Sequence, residues 1–129
     1  VKVHLVEVIR GEIGSGERSL RELFKQAQKR SPSLIFIDEF QAIFSSRHDE
    51  SSSTLSSTLI GCLDEIRIYN KHTTSRVFVI AATNEPWAIH SSFLATGRLD
   101  TQLFIGPLDK EGRKHFIENI LKDFTNEFT

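Results

Sequence analysis

Cysteine is nearly missing. Of 129 residues only Cys62 is one, so no disulfide can form within the chain. That disfavours a small disulfide-stapled secreted domain and suits a reducing compartment. Methionine is absent altogether, and no function attaches to that. No apolar run approaches the ~18 residues that cross a bilayer, so no membrane segment is expected. An excess of one charge is missing too: 16 Lys and Arg stand against 17 Asp and Glu. A strongly basic nucleic-acid domain would look different, and nucleic acid is not an expected partner. The first residues alternate polar and apolar, unlike a signal peptide. The histidines at 4, 48, 72, 90 and 115 lie far apart, and with Cys62 they make no metal-ligand spacing. No nucleophile-elbow pattern G-x-S-x-G occurs among the serines.

What is present is an ordinary globular balance. Hydrophobic residues make up 39% and charged residues 26%, which excludes wholesale disorder. The length suits one small domain or a piece of one. The chain begins at Val1 and opens directly on a strand-like pattern, as a piece of a longer protein would.

Hydrophobic periodicity orders the elements. Val3, Leu5, Val6, Val8 and Ile9 form a β-rich opening, broken by Gly11, Gly14 and Gly16. Leu20, Leu23, Phe24 and Ala27 recur at helical spacing, so residues 17–30 read as an amphipathic helix with Ser15 as its N-cap. Its other face carries Arg18, Arg21, Lys25 and Lys29. Leu34-Ile35-Phe36-Ile37 is an unbroken apolar run, consistent with a strand buried on both faces. Phe40 to Phe44 reads as a short helix and residues 45–54 as a mobile polar loop. Leu55, Leu59, Leu63 and Ile66 mark a helix ending near Tyr69-Asn70. Val77 to Ala82 is a second buried strand, Gln102 to Ile105 a weaker one. Phe116, Ile117, Ile120, Leu121 and Phe124 give a last helix an apolar stripe. Strands without alternation, separated by helices, indicate an α/β protein with a parallel sheet covered on both faces.

Polar residues follow the buried strands. Asp38 and Glu39 come directly after one, Asn84 after the next, and Arg98 in a Gly-containing loop. Open α/β sheets bind ligands beyond the carboxyl ends of their strands. Two carboxylates, an amide and a guanidinium gathered there suit phosphoryl transfer. That reaction needs a metal to neutralise oxygens, a group to polarise water, and positive charge on the moving phosphoryl. Taken singly, each residue has a plainer reading: Asp38-Glu39 as solvent-facing charge, Asn84 as a turn initiator before Glu85-Pro86, Arg98 as the partner of Asp100. An acid/base pair formed by Asp38 and Glu39 alone is disfavoured, because adjacent side chains at a strand end diverge.

The same residues resemble the AAA+ ATPases. Leu34-Ile35-Phe36-Ile37-Asp38-Glu39 resembles their Walker B strand, Val79-Ile80-Ala81-Ala82-Thr83-Asn84 their sensor-one strand, and Gly97-Arg98-Leu99-Asp100 the end of their second region of homology. The segment Gly14 to Phe24 is similar to the one after their central pore loop. The matches are collinear over roughly residues 10–115, and the nearest likeness is to the clade of valosin-containing protein. The resemblance implies a partial P-loop NTPase (AAA+) α/β subdomain over 1–107 and the first helix of the helical lid over 108–129. It implies ATP and Mg²⁺ as cofactors. Asp38 would support the metal, Glu39 would polarise the attacking water, and Asn84 would sense the γ-phosphate. Arg98 would act as an arginine finger on a neighbouring subunit. The implied partners are other AAA+ subunits in a homo- or hetero-hexameric ring, a protein substrate and adaptors. The implied location is intracellular, cytoplasmic or nuclear.

The sequence also departs from the pattern. GxxxxGK[ST], the phosphate-binding loop, occurs nowhere in it. In the family that loop and its central strand lie upstream of the position where this chain starts, so this segment alone is expected to bind ATP poorly. Ala95 stands where the first of two loop arginines is usual. Gln41 replaces a common acid, Trp87 and His90 replace residues that are usually acidic, and Glu12-Ile13 stands where the pore loop usually has an aromatic followed by an apolar residue. Two expectations result: a motor that hydrolyses Mg-ATP to remodel proteins, or a catalytically weak ring subunit serving as a scaffold or nucleotide-bound spacer.

Overall fold

The computed structural model describes residues 2–4, 15–44 and 50–127. Among the described residues three strands form one parallel sheet in the order β1-β2-β3: β1 (Lys2–His4), β2 (Ser33–Asp38) and β3 (Val77–Ala81). Ile37 lies beside Val3 on one side and Ala81 on the other. Helix α1 (Ser15–Lys29) precedes β2, and α2 (Glu50–His72) precedes β3. A further helix, α3 (Lys110–Glu127), ends the described chain. The rest of the predicted opening strand and the Glu12-Ile13 loop lie outside the described residues.

Helix α1 forms as its spacing predicts: Leu20, Phe24 and Ala27 are fully buried, and Leu23 packs against them. Glu17 in its first turn and Lys29 in its last complement the helix dipole. On α2, Leu55, Leu59, Cys62, Leu63 and Ile66 face the same core. That helix starts at Glu50, earlier than the apolar spacing alone suggests, and Ser57 Oγ donates to Ser53 O at 3.0 Å within its added turns. Burying each large apolar side chain contributes roughly 1.5–3 kcal/mol. Ile35 and Ile37 of β2 and Val77 of β3 complete the layer beneath the helices.

Among the described residues, helices cover one face of the sheet. The strands run in one direction in the order 1-2-3. Crossovers of a single hand then place α1 and α2 on the same side, where the two helices pack on each other. On the opposite face Leu34 is 44%, Phe78 61% and Ile80 49% exposed. Residues 102–105 likewise depart from expectation. They are not a strand, and Leu103, Phe104 and Ile105 are more than four-fifths exposed at 84%, 89% and 83%. A strand needs a ladder partner, and none among the described residues lies beside them. The α3 stripe of Phe116, Ile117, Ile120 and Leu121 forms a helix, as its spacing predicts, and is also exposed. Asp109 caps that helix: its Oδ1 accepts the Gly112 N–H at 2.7 Å.

Side chains fix the joints that aim the strands. The Asn70 amide donates to Val77 O at 2.8 Å and accepts the Val77 N–H at 2.9 Å, closing the α2–β3 turn like an added strand residue. At the far end of α1, Ser33 Oγ donates to Ala27 O at 2.7 Å and Tyr69 OH to Gln28 O at 3.2 Å.

Candidate functional site

The carboxyl ends of β2 and β3 are locked together. The Ala82 N–H donates to Ile37 O at 2.8 Å, and the Phe40 N–H donates to Ala82 O at 2.9 Å. Asp38 and Glu39 therefore leave the sheet beside Thr83 and Asn84. Thr83 Oγ1 donates to Gln41 Oε1 at 2.8 Å and accepts the Glu85 N–H at 3.0 Å. The turn around Asn84 is thus tied to the chain just after Glu39.

Asp38 is half-buried and Glu39 exposed. Asp38 Oδ1 accepts the Glu39 N–H at 3.0 Å, which orients the first carboxylate. Glu39 has φ 52°, in the left-handed region. A glutamate pays a steric penalty there, and such strain gathers at functional positions. The conformation turns the chain sharply from the strand into the 3₁₀ turn Phe40–Phe44. Among the described residues no cation pairs with Asp38 or Glu39. Asn84 is exposed.

These donors fit Mg²⁺. Among the described residues no three His, Cys, Asp or Glu side chains cluster as a metal cage. Mg²⁺ needs none: it favours hard oxygen ligands and is usually held by one or two carboxylates with waters and phosphates.

Arg98 sits elsewhere. Its loop follows the 3₁₀ turn Ser91–Leu94. His90 Nδ1 accepts the Ser92 N–H at 3.3 Å at the start of that turn. Phe93 is buried edge-to-face against Phe40 and Phe44, with centroids 5.2 and 5.3 Å away. The turn after Glu39 and the turn before Arg98 therefore share one aromatic cluster. Gly97 has φ +84°, and a Cβ there would run into the Arg67 side chain.

The Arg98 guanidinium is held within its own chain. Nε donates to Asp64 Oδ1 at 2.9 Å, NH2 to Asp64 Oδ2 at 2.8 Å, and NH1 to Ser92 O at 2.6 Å. The hydrogen bond from Arg98 holds the Asp64 carboxyl below its ordinary pKa, with the charges of Arg98 and Arg67 adding to it. The same bond raises the Arg98 pKa. Asp100, the partner suggested by proximity in sequence, instead accepts the Gly97 N–H at 2.8 Å. Asp64 lies 34 residues from Arg98, and no sequence pattern joins them. The Gln41–Thr83 tie was equally hidden. Its one sequence signal was an amide in place of an acid.

Burial pushes the Cys62 thiol up to about 11, so it serves as packing, not as a nucleophile. No helix among the described residues is long and apolar enough to cross a membrane.

Known proteins are similar to this chain over most of its length. The family described as "ATPase family associated with various cellular activities (AAA)" matches residues 1–107. The chain is 34% identical over 121 residues to the ATPase family gene 2 protein of Saccharomyces cerevisiae, covering 94% of this chain and 15% of that protein. It is 33% identical over 125 residues to the nuclear valosin-containing protein-like protein of Mus musculus, covering 95% and 14%. To the cell division cycle protein 48 homolog of Archaeoglobus fulgidus it is 36% identical over 126 residues, covering 92% and 16%. It thus spans about one-sixth or less of each relative. On the family match and these identities, the chain belongs to the AAA ATPase family.

Proposed function

We propose that this chain is the water-activating and phosphate-sensing part of an ATPase module whose parent hydrolyses Mg-ATP in a ring and remodels protein substrates. One observation carries the reading: the backbone ladder from Ile37 to Ala82 brings Asp38, Glu39 and Asn84 to one edge of the sheet. Asp38, its carboxylate oriented by the Glu39 N–H, is the residue that would hold Mg²⁺, through water. Glu39 draws the proton of the attacking water. Asn84 presents its amide to that water or to the terminal phosphate. When bound, Mg²⁺ neutralises phosphate oxygens during transfer. The phosphate-loop strand implied by the resemblance would join an edge of this sheet by backbone pairing. Residues 1–107 would then form part of the large subdomain and 108–129 the start of the lid.

The second reading, a catalytically weak ring subunit, is favoured by a specific pair of facts: Ala95 is exposed with no charge, and Arg98 is paired within its own chain. In the ATPase reading Arg98 is the arginine finger that reaches a neighbouring subunit. Magnesium dependence tests the ATPase reading in the full protein that carries this chain. Turnover is expected to vanish in EDTA and return with Mg²⁺, and Asp38→Asn is expected to raise the Mg²⁺ concentration required. Turnover that persists in EDTA contradicts the role of Asp38. Nucleotide binding and ring assembly without turnover point to the second reading.

A further inference from the structure

We propose that Gln41 is a positioning residue for hydrolysis: acting through Thr83, it sets where the Asn84 turn stands relative to Glu39. The role rests on the ATPase reading and adds to it a pair of side chains that act through their neighbours.

Gln41 is fixed relative to Glu39 by backbone. The Ala42 N–H donates to Glu39 O at 2.9 Å, closing a turn that starts at Glu39 and contains Gln41. Phe40, inside the same turn, is almost fully buried and anchors it to the core. The backbone ladder between the strand ends reaches Ala82. Past that point the connection passes to side chains. Thr83 Oγ1 donates to Gln41 Oε1 at 2.8 Å, and both residues are half-buried.

A threonine hydroxyl has one proton to give and lone pairs to receive. The amide oxygen of Gln41 takes that proton, which fixes the direction of the hydroxyl. The same oxygen then accepts the Glu85 N–H at 3.0 Å, closing the backbone over Asn84. Glu39, Gln41, Thr83 and Asn84 thus lie on one continuous path of bonds across the sheet edge. An amide suits the place because it accepts without adding a third negative charge beside Asp38 and Glu39. Misplacing a reacting group by about 1 Å can cost about 10²-fold in rate, so a lost tie is read in turnover.

The test uses the full protein with Gln41→Met, Thr83→Val, the two combined, and Thr83→Ser. Mg-ATP kcat and KM are measured, together with hydrogen exchange over residues 83–85. Both single variants Gln41→Met and Thr83→Val are expected to lower kcat about tenfold or more, with KM changed by less than about twofold. Adding Gln41→Met to Thr83→Val is expected to cost nothing further. Thr83→Ser, which keeps the hydroxyl, is expected to recover most of the Thr83→Val loss. Exchange over 83–85 is expected to quicken in Gln41→Met. An unchanged kcat in Gln41→Met overturns the proposal. So do losses that multiply in the double variant, or a raised KM with kcat intact. No turnover in the unaltered protein overturns the ATPase reading and the positioning role with it, while unchanged exchange in Gln41→Met overturns the tie itself.

Discussion

Glu39 is the residue whose backbone and chemistry point the same way. Its left-handed φ of 52° is a conformation glutamate rarely adopts. Packing on both sides holds it there: Ile37 is fully buried before it and Phe40 almost so after it. The residue types were legible in the sequence, since two acids after an apolar run stand out. The backbone strain was not, because nothing in Ile-Asp-Glu-Phe announces a positive φ. Asp64 makes the complementary point. In sequence it is one acid among several on a helix, and only the fold shows that it receives Arg98. Its carboxyl is held below the ordinary range, so the stability from this pair is fully present above the unfolded carboxylate pKa of about 4. That stability is lost as pH falls through the lowered folded value. The difference in unfolding midpoint between the unaltered protein and Asp64→Asn is therefore expected to shrink as pH drops from 7 towards 3. A difference that stays constant over that range contradicts the pairing.

Two asparagines at opposite ends of β3 separate structure from function at the scale of elements. Asn70 forms two hydrogen bonds to Val77 at the start of the strand, and Asn84 stands exposed beyond its end. Asn70→Ala leaves both Val77 groups without those partners and is expected to cost roughly 1–3 kcal/mol in urea unfolding. Asn84→Ala is expected to stay within about 0.5 kcal/mol while lowering ATP turnover. The reverse pattern would show that Asn84 is the structural one. The buried stripes of α1 and α2 were legible because helical spacing reports one face directly. The coverage of β2 was not. An uninterrupted apolar run says that both faces can be buried, and the crossover direction decides which one the helices cover. Residues 102–105 failed for a related reason: strand propensity is realised only beside a ladder partner.

At the scale of the molecule, a parallel sheet, one helical layer and one aromatic cluster hold the strand ends in register. The helices supply the rigidity. Phe40, Phe44 and Phe93 join the exit of β2 to the loop that carries Arg98. The edge at Asp38, Glu39 and Asn84 was readable from order alone, since parallel neighbours end on the same side. What that edge does is measured most directly by steady-state Mg-ATP turnover of the full protein beside its Glu39→Gln form, with nucleotide binding followed in both. The account predicts that the variant binds nucleotide as before and loses turnover. Turnover equal to that of the unaltered protein in Glu39→Gln would contradict it.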